Sequence, residues 1–494
     1  MAEQTTIAEQ DQSLVTYSEQ EQKLASLGIK AYLMTSLLVF SLMMLAGVTL
    51  RASQGTFLDI GADLFYQIMT VHGAGMVGTA GLGGTAVLWY FLRKYINLSS
   101  KVLWVNYAIF LVGVVLILGS IFIGKFAGAW TFLYPLPAKS MGVWSVEAAA
   151  VFMLGLLLIG TGFLILYLDI GIKLIGKYGN LGRALGLPVV FGMKPIDPDH
   201  PTTVVAATMV LIVNFIGIAA GAVVLVLCLF NLYQPEYELD PLLIKNLIYF
   251  FGHVFINATI YSAVTAVYEL LPKYTGRPWK VSKPFYYAWA AATLMVMAVY
   301  PHHLLMDFVM PTWLLVIGQI LSYCSGIPVL AVTAYGALTI VYRSGIKWDL
   351  CSALLLLSMF GWAGGVIPAI IDATVSVNKV MHNTMWVPGH FHFYLVLGLL
   401  PMILGFCSYL SANSQQEKAS ATGKLAFGVY FVGAMGLILT FLASGANSVP
   451  RRWAEHLPDW QFLSQLGAIA GGLVLVGFLI FTLQNLVRLP KASI

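Results

Sequence analysis

The sequence predicts an all-α integral membrane protein, a bundle of about 12 transmembrane helices. Three observations carry this. Of the 494 residues, 59% are hydrophobic and 10% charged, where a soluble globular protein carries about 25% charged residues. Apolar runs of about 20 residues, long enough to cross a hydrocarbon core as a helix, recur from end to end. The longest polar connection, Lys173 to His200, has fewer than about 30 residues, too few for a domain of its own. A formal charge of +5 is small for this length and gives no reason to expect nucleic acid. In a membrane protein Lys and Arg mostly report topology.

Taken in order, residues 1–28 are a polar segment without the basic-then-apolar order of a signal peptide. Spans are expected at roughly 29–51, 65–92, 102–124, 143–170, 203–232, 243–271, 284–300, 312–342, 350–371, 385–411, 423–444 and 463–487. Together they make residues 29–488 one transmembrane catalytic domain, followed by a short tail, 489–494. An even number of spans puts both termini on one side. With that side inside, cytoplasmic stretches hold 19 of the 26 Lys and Arg, so both termini are expected in the cytoplasm. The four cysteines (Cys228, Cys324, Cys351, Cys407) are far apart and form no C-x-x-C pair, which reads as buried inert thiols. Glycines cluster in the second span, at Gly73, Gly75, Gly78, Gly81, Gly83 and Gly84, where they allow close approach of a helix or a flat ligand.

The chemistry-bearing stretch is His382-Asn-Thr-Met-Trp-Val-Pro-Gly-His390-Phe-His392, leading into an apolar run. A helix advances about 100° per residue, so His390 and His392 face opposite sides and can serve two different metal groups. Imidazole suits haem iron, copper and non-haem iron. Of nine histidines, His200 and His456 fall in polar loops and receive no role. The other seven (His72, His253, His302, His303, His382, His390, His392) lie in or beside spans, where an ionisable group is costly unless it is paired or functional. Six of them, all but His382, fall at similar depth near the outer face, as one layer of cofactors would require. A secondary transporter also fits a twelve-helix plan, and a haem-sensing protein could use a histidine pair. Neither needs the His302–His303 doublet together with His253.

The motifs around His382–His392, Tyr-Pro-His302-His303, Phe-Gly-His253 and Thr-Val-His72-Gly resemble subunit I of the haem–copper oxygen reductase and nitric oxide reductase superfamily. Tyr268 followed by Leu271-Pro272-Lys273, and Val449-Pro450-Arg451-Arg452, point to its B-type branch. The resemblance implies a low-spin haem held by His72 and His392 and a high-spin haem on His390. A second metal, copper or non-haem iron, would sit on His253, His302 and His303. Arg451 and Arg452 would neutralise haem propionates, for which a guanidinium fork is well shaped, and His382 would meet a propionate or water. It also implies an electron-delivering second subunit with a cytochrome c or cupredoxin-type donor, and residence in a bacterial cytoplasmic (inner) membrane.

The chain departs from the oxygen reductases in one place that matters. They carry an active-site tyrosine four residues after the sixth-span histidine; here that position is Asn257. The alternative seventh-span position is Val296, and Tyr300 is out of phase with it. An amide cannot give the electron and proton needed when O–O breaks. The expected substrate is therefore nitric oxide, reduced to N2O, with O2 reduction to water as the alternative. Asn257 would hydrogen-bond a substrate oxygen or else buttress a ligand histidine. Candidates for a proton path are Tyr268, Thr265 and Glu147, the last at the outer end of the fourth span. On the eighth span Val329 and Val332 stand where hydroxyls are expected, with Thr333 and Tyr335 out of phase, so an inner path reads as broken. Asp307, Asp372 and Glu269 are the remaining acids in or near apolar stretches.

Overall fold

The computed structural model describes residues 15–279, 281–304, 306 and 311–493. Asp307 and residues 1–14 of the polar N-terminal segment lie outside them. Among the described residues there is no named strand, and one isolated bridge joins Thr384 to Pro450. Among the described residues, eleven helices are long and apolar enough to cross a membrane. In chain order these are α1 (Glu19–Gln54), α2 (Gly61–Leu92), α3 (Ser100–Ile123), α4 (Val146–Tyr178), α5 (Thr202–Tyr233), α6 (Pro241–Thr275), then, after α7, α8 (Thr312–Val341), α9 (Leu350–Ala373), α10 (Trp386–Ser411), α11 (Ala421–Ala446) and α12 (Pro458–Lys491). The twelfth expected span, α7, is a helix of 16 residues, Lys283–Ala298. At about 1.5 Å per residue it rises about 24 Å, short of a full crossing. It stops there because Pro301 follows and the chain tightens into a 3-10 turn, Tyr300–His303, that carries the histidine doublet.

The helices start where small polar residues close the first turn. Ser99, Ser145, Ser282 and Ser420 each accept a backbone N–H of the helix they precede, and Asp349 forms a full capping box with Ser352. α1 begins at Glu19 behind the Ser18 cap, earlier than residue 29. Lys30 Nζ donates to Pro490 O at 3.1 Å, so both ends of the bundle chain lie on one face, called the terminal face below. On that face Glu269 pairs with Lys94 at 3.1 Å and accepts from Tyr95 Oη and Thr203 Oγ1, tying α2, α5 and α6 together.

Two helices form the centre. Of the most apolar window of each, 78% is buried in α2 and 89% in α10. Close approach depends on glycine: a Cβ on Gly84 would lie 2.2 Å from Ser262 Oγ of α6, and one on Gly361 of α9 would lie 2.2 Å from the Leu397 carbonyl of α10. The α10 segment facing Gly361 is π-helical, Phe393–Leu399, a widened turn that begins one residue after His392.

Candidate cofactor and metal centre

A cavity of about 480 Å³ opens inside the bundle, and all six histidines of the expected layer line it. His72 reaches it from α2, His253 from α6, His302 and His303 from the 3-10 turn after α7, and His390 and His392 from α10. The two α10 histidines do face opposite ways. His392 packs on Phe441 of α11 with ring centroids 4.9 Å apart, whereas His390 meets Tyr394 edge-on at 5.6 Å.

Hydrogen bonds fix which ring nitrogen each histidine offers. His72 Nδ1 lies 2.7 Å from Met43 O, and His392 Nδ1 lies 2.7 Å from Pro388 O. A carbonyl only accepts, so both Nδ1 atoms carry the proton and both Nε2 atoms keep a lone pair. His302 Nδ1 is 3.1 Å from Ser322 Oγ. That hydroxyl already donates to Gly318 O, so it accepts from His302 and again leaves Nε2 free. Backbone or side-chain acceptors that orient an imidazole in this way are the usual support of a metal ligand. Gly47 of α1 makes room for His72, since a Cβ there would lie 2.8 Å from the imidazole.

His253, His302 and His303 form a tight trio whose ligand atoms all lie within 4.8 Å of one another. His253 Nδ1 faces His303 Nε2 at 3.0 Å, and the His302 and His303 rings are 4.3 Å apart and nearly perpendicular. Three convergent imidazole nitrogens in a buried apolar wall fit a transition-metal ion. The forced Nε2 lone pairs of His72 and His392 fit a bis-histidine haem. His390 adds a third point of attachment; its Nδ1 is buried and has no hydrogen-bond partner among the described residues.

Asn257 Nδ2 donates to His253 O at 2.8 Å and lies 3.3 Å from His253 Nε2. One of its two N–H donors is spent on its own helix and the other faces His253 Nε2, so the amide buttresses the histidine.

At the mouth opposite the terminal face, Arg451 donates through Nε and Nη2 to Asn383 Oδ1, and Arg452 Nη2 donates to Thr131 Oγ1 at 3.0 Å. Neither has an acidic partner among the described residues, and both line the cavity. Packing around Arg452, which is exposed where it lines the cavity, and then the neighbouring Arg451 charge bring its guanidinium down to about 10. An arginine stays charged even so, which leaves a cationic pair suited to carboxylate groups. His382 lines a smaller cavity of about 40 Å³ with Asp372, Asn378 and Arg451.

The proton-path candidates separate. Tyr268 is buried, and its Oη lies 2.6 Å from Thr333 Oγ1 of α8. Thr333 was expected out of phase; the α8 helix, with Pro328 inside it, turns it inward instead. Thr265 Oγ1 donates to Ser262 O at the break in α6 and is committed there. Tyr335 is 73% exposed and Glu147 stands exposed in the first turn of α4, away from the cavity. The sequence reading missed Arg51, which is buried, lines the cavity and stacks 4.9 Å over Phe441. Its one signal was a basic residue inside the outer end of an apolar span.

Residues 28–473 match the family described as cytochrome c and quinol oxidase polypeptide I. Cytochrome c oxidase subunit 1 of Thermus thermophilus is 24% identical over 449 residues, covering 84% of this chain and 75% of its own length. Cytochrome c oxidase subunit 1 of Cereibacter sphaeroides is 26% identical over 294 residues, covering 56% of this chain and 50% of its own. The chain spans about half the length of the first curated relatives it matches. A haem–copper terminal oxidase dimer solved by cryo-EM superposes with a TM-score of 0.76 at 20% identity, over 95% of this chain and 85% of that one.

Proposed function

The chain belongs to the cytochrome c and quinol oxidase polypeptide I family, and from that premise we propose that it is the catalytic subunit of a respiratory membrane oxidoreductase that reduces nitric oxide: 2 NO + 2 e⁻ + 2 H⁺ → N2O + H2O. In this reading His72 and His392 hold a low-spin haem, His390 a high-spin haem, and His253, His302 and His303 a copper or non-haem iron. When bound, these groups would carry electrons to the cavity and present two metals to the substrate. The protein's part is to orient the imidazoles through Met43 O, Pro388 O and Ser322 Oγ, and to balance haem carboxylates with Arg451 and Arg452. The donor would be a cytochrome c or cupredoxin-type protein acting through a second subunit. Both termini would face the cytoplasm of a bacterial inner membrane.

The observation that carries the substrate assignment is Asn257 against His253 Nε2. O2 cleavage in one step takes four electrons, of which two bound metals would supply three and an oxidisable side chain would have to give the fourth. An amide has none to give. Coupling two NO molecules takes two electrons, which the bound metals would supply. Reduction of O2 is the second reading, favoured by the names of the relatives.

NO and O2 consumption measured side by side with the purified, reduced holoenzyme decides between them. Steady N2O formation with slow or incomplete O2 reduction is expected; rapid, complete reduction of O2 to water with no N2O from NO would overturn the assignment. Asn257→Tyr should lower NO turnover about tenfold, the range of one lost positioning contact near a metal, with the haem spectrum kept.

A further inference from the structure

We propose that Tyr261 is the hydroxyl through which protons pass from the Tyr268–Thr333 pair into the histidine-lined cavity. On α6, His253, Asn257 and Tyr261 follow one another at steps of four along one face, and Thr265 and Tyr268 follow beyond the break at Ala263. Tyr261 is 9% exposed and lines the cavity, and its Oη has no hydrogen-bond partner among the described residues. Buried tyrosine hydroxyls normally find a partner, so an orphan aimed into a cavity marks a place for water. The cavity wall it shares is mostly apolar, including Ile256, Ile260, Val296 and Leu330.

Below it the polar groups are already linked. Trp289 Nε1 donates to Tyr268 Oη at 3.2 Å, and Tyr268 Oη shares a hydrogen bond with Thr333 Oγ1 at 2.6 Å. The Trp289 ring lies 5.7 Å from the Tyr261 ring and 6.2 Å from the Tyr268 ring, in contact with both. Thr265 cannot bridge them, because its hydroxyl is held by Ser262 O. Seven residues separate the two tyrosines, about 10 Å of helix rise, and Tyr261 lies about 12 Å of rise from His253. Among the described residues no hydrogen bond joins Tyr261 to Tyr268 or to His253, so both steps need water. The transfer is neutral: Tyr261 Oη takes a proton from water below on its lone pair while its own proton leaves towards the cavity. No phenolate forms, which suits a wall where charge is costly.

The inference rests on the reaction taking place at the six-histidine cavity, and holds for NO or O2 alike. Its test needs neither gas. Oxidised holoenzyme in lipid vesicles is reduced chemically while a pH dye follows proton uptake. Tyr261→Phe should keep the haem spectrum and slow uptake at least tenfold; in turnover kcat should fall by the same factor with KM unchanged. Thr333→Val should do the same and Thr333→Ser should restore the parent rate. If Tyr261→Phe fails to load haem, the two Thr333 variants carry the decision. Parent-rate uptake in Tyr261→Phe, or in Thr333→Val, overturns the relay. A parent enzyme that reduces O2 and not NO would remove the substrate assignment and leave this result standing.

Discussion

Helices α10 and α8 are nearly equal in mean hydropathy, 2.0 and 1.8 over their most apolar windows, yet 89% of the first window is buried and 6% of the second. Apolarity does not separate a membrane helix that faces protein from one that faces lipid, because lipid chains are as apolar as leucine. What separates them is the minority of small and polar side chains. α10 carries His390, His392, Tyr394 and the glycine contacts that seat it against α9. α8 turns Ser322, Val329, Thr333 and Ala337 inward and leaves Trp313, Val316, Ile320, Ile327 and Leu338 outward at helical spacing. Burial in these two helices follows the histidine-lined cavity.

The contrast can be broken most sharply at Gly361. A methyl group there meets backbone, which cannot swing aside as a side chain can. Gly361→Ala should cost about 3 kcal/mol or more, seen as a large drop in Tm and in the yield of haem-loaded, monodisperse protein. A parent-like Gly361→Ala would show that the α9–α10 seat is not what buries α10. A smaller and more selective effect is expected on the ligand side. His72→Ala should abolish a bis-histidine low-spin spectrum while carbon monoxide still binds the other haem, and an intact low-spin spectrum would remove His72 from the ligand set.

The loop before α12 lies between the two extremes. His456 there is 7% exposed, with Nδ1 on Ser464 Oγ at 2.8 Å. Burial, and then the Arg51 charge, push its imidazole from 6.5 down to about 4. Between those values the unfolded chain binds a proton that the folded one does not, so stability falls as pH drops through the window and is restored above it. Thermal unfolding followed from about pH 7 to about pH 4 should show that slope, and His456→Gln should flatten it. The least effect belongs to α8: Ile320→Ala, at a side chain 52% exposed, should change stability by about 0.5 kcal/mol or less.

The six histidines were legible because each is an expensive residue at membrane depth, and two of their spacings, the doublet and the i,i+2 pair, are local. The spans were legible because a hydrocarbon core imposes one length on all of them; α7 alone falls short, and Pro301 accounts for it. Tyr261 was not legible. A tyrosine in an apolar helix packs more often than it reacts, and only the missing partner for its hydroxyl distinguishes it. Nor was the Tyr268–Thr333 contact, since it depends on how α8 is turned at Pro328, which sets the phase of everything after it. The direction of the Asn257 amide depends on a competition between cavity and helix backbone that has no sequence signal.

The π turn at Phe393–Leu399 has a consequence for how this chain can change. In an unbroken α-helix every residue is locked to the next by the same angular step, so altering the lower half of α10 would rotate the histidines with it. One wide turn lets the two halves keep separate phases. The upper half answers to the ring nitrogens it must aim, and the lower half answers to its neighbours, with Tyr430 Oη bonded to Val396 O at the join. Substitutions below the turn can therefore accumulate without retuning the chemistry above it.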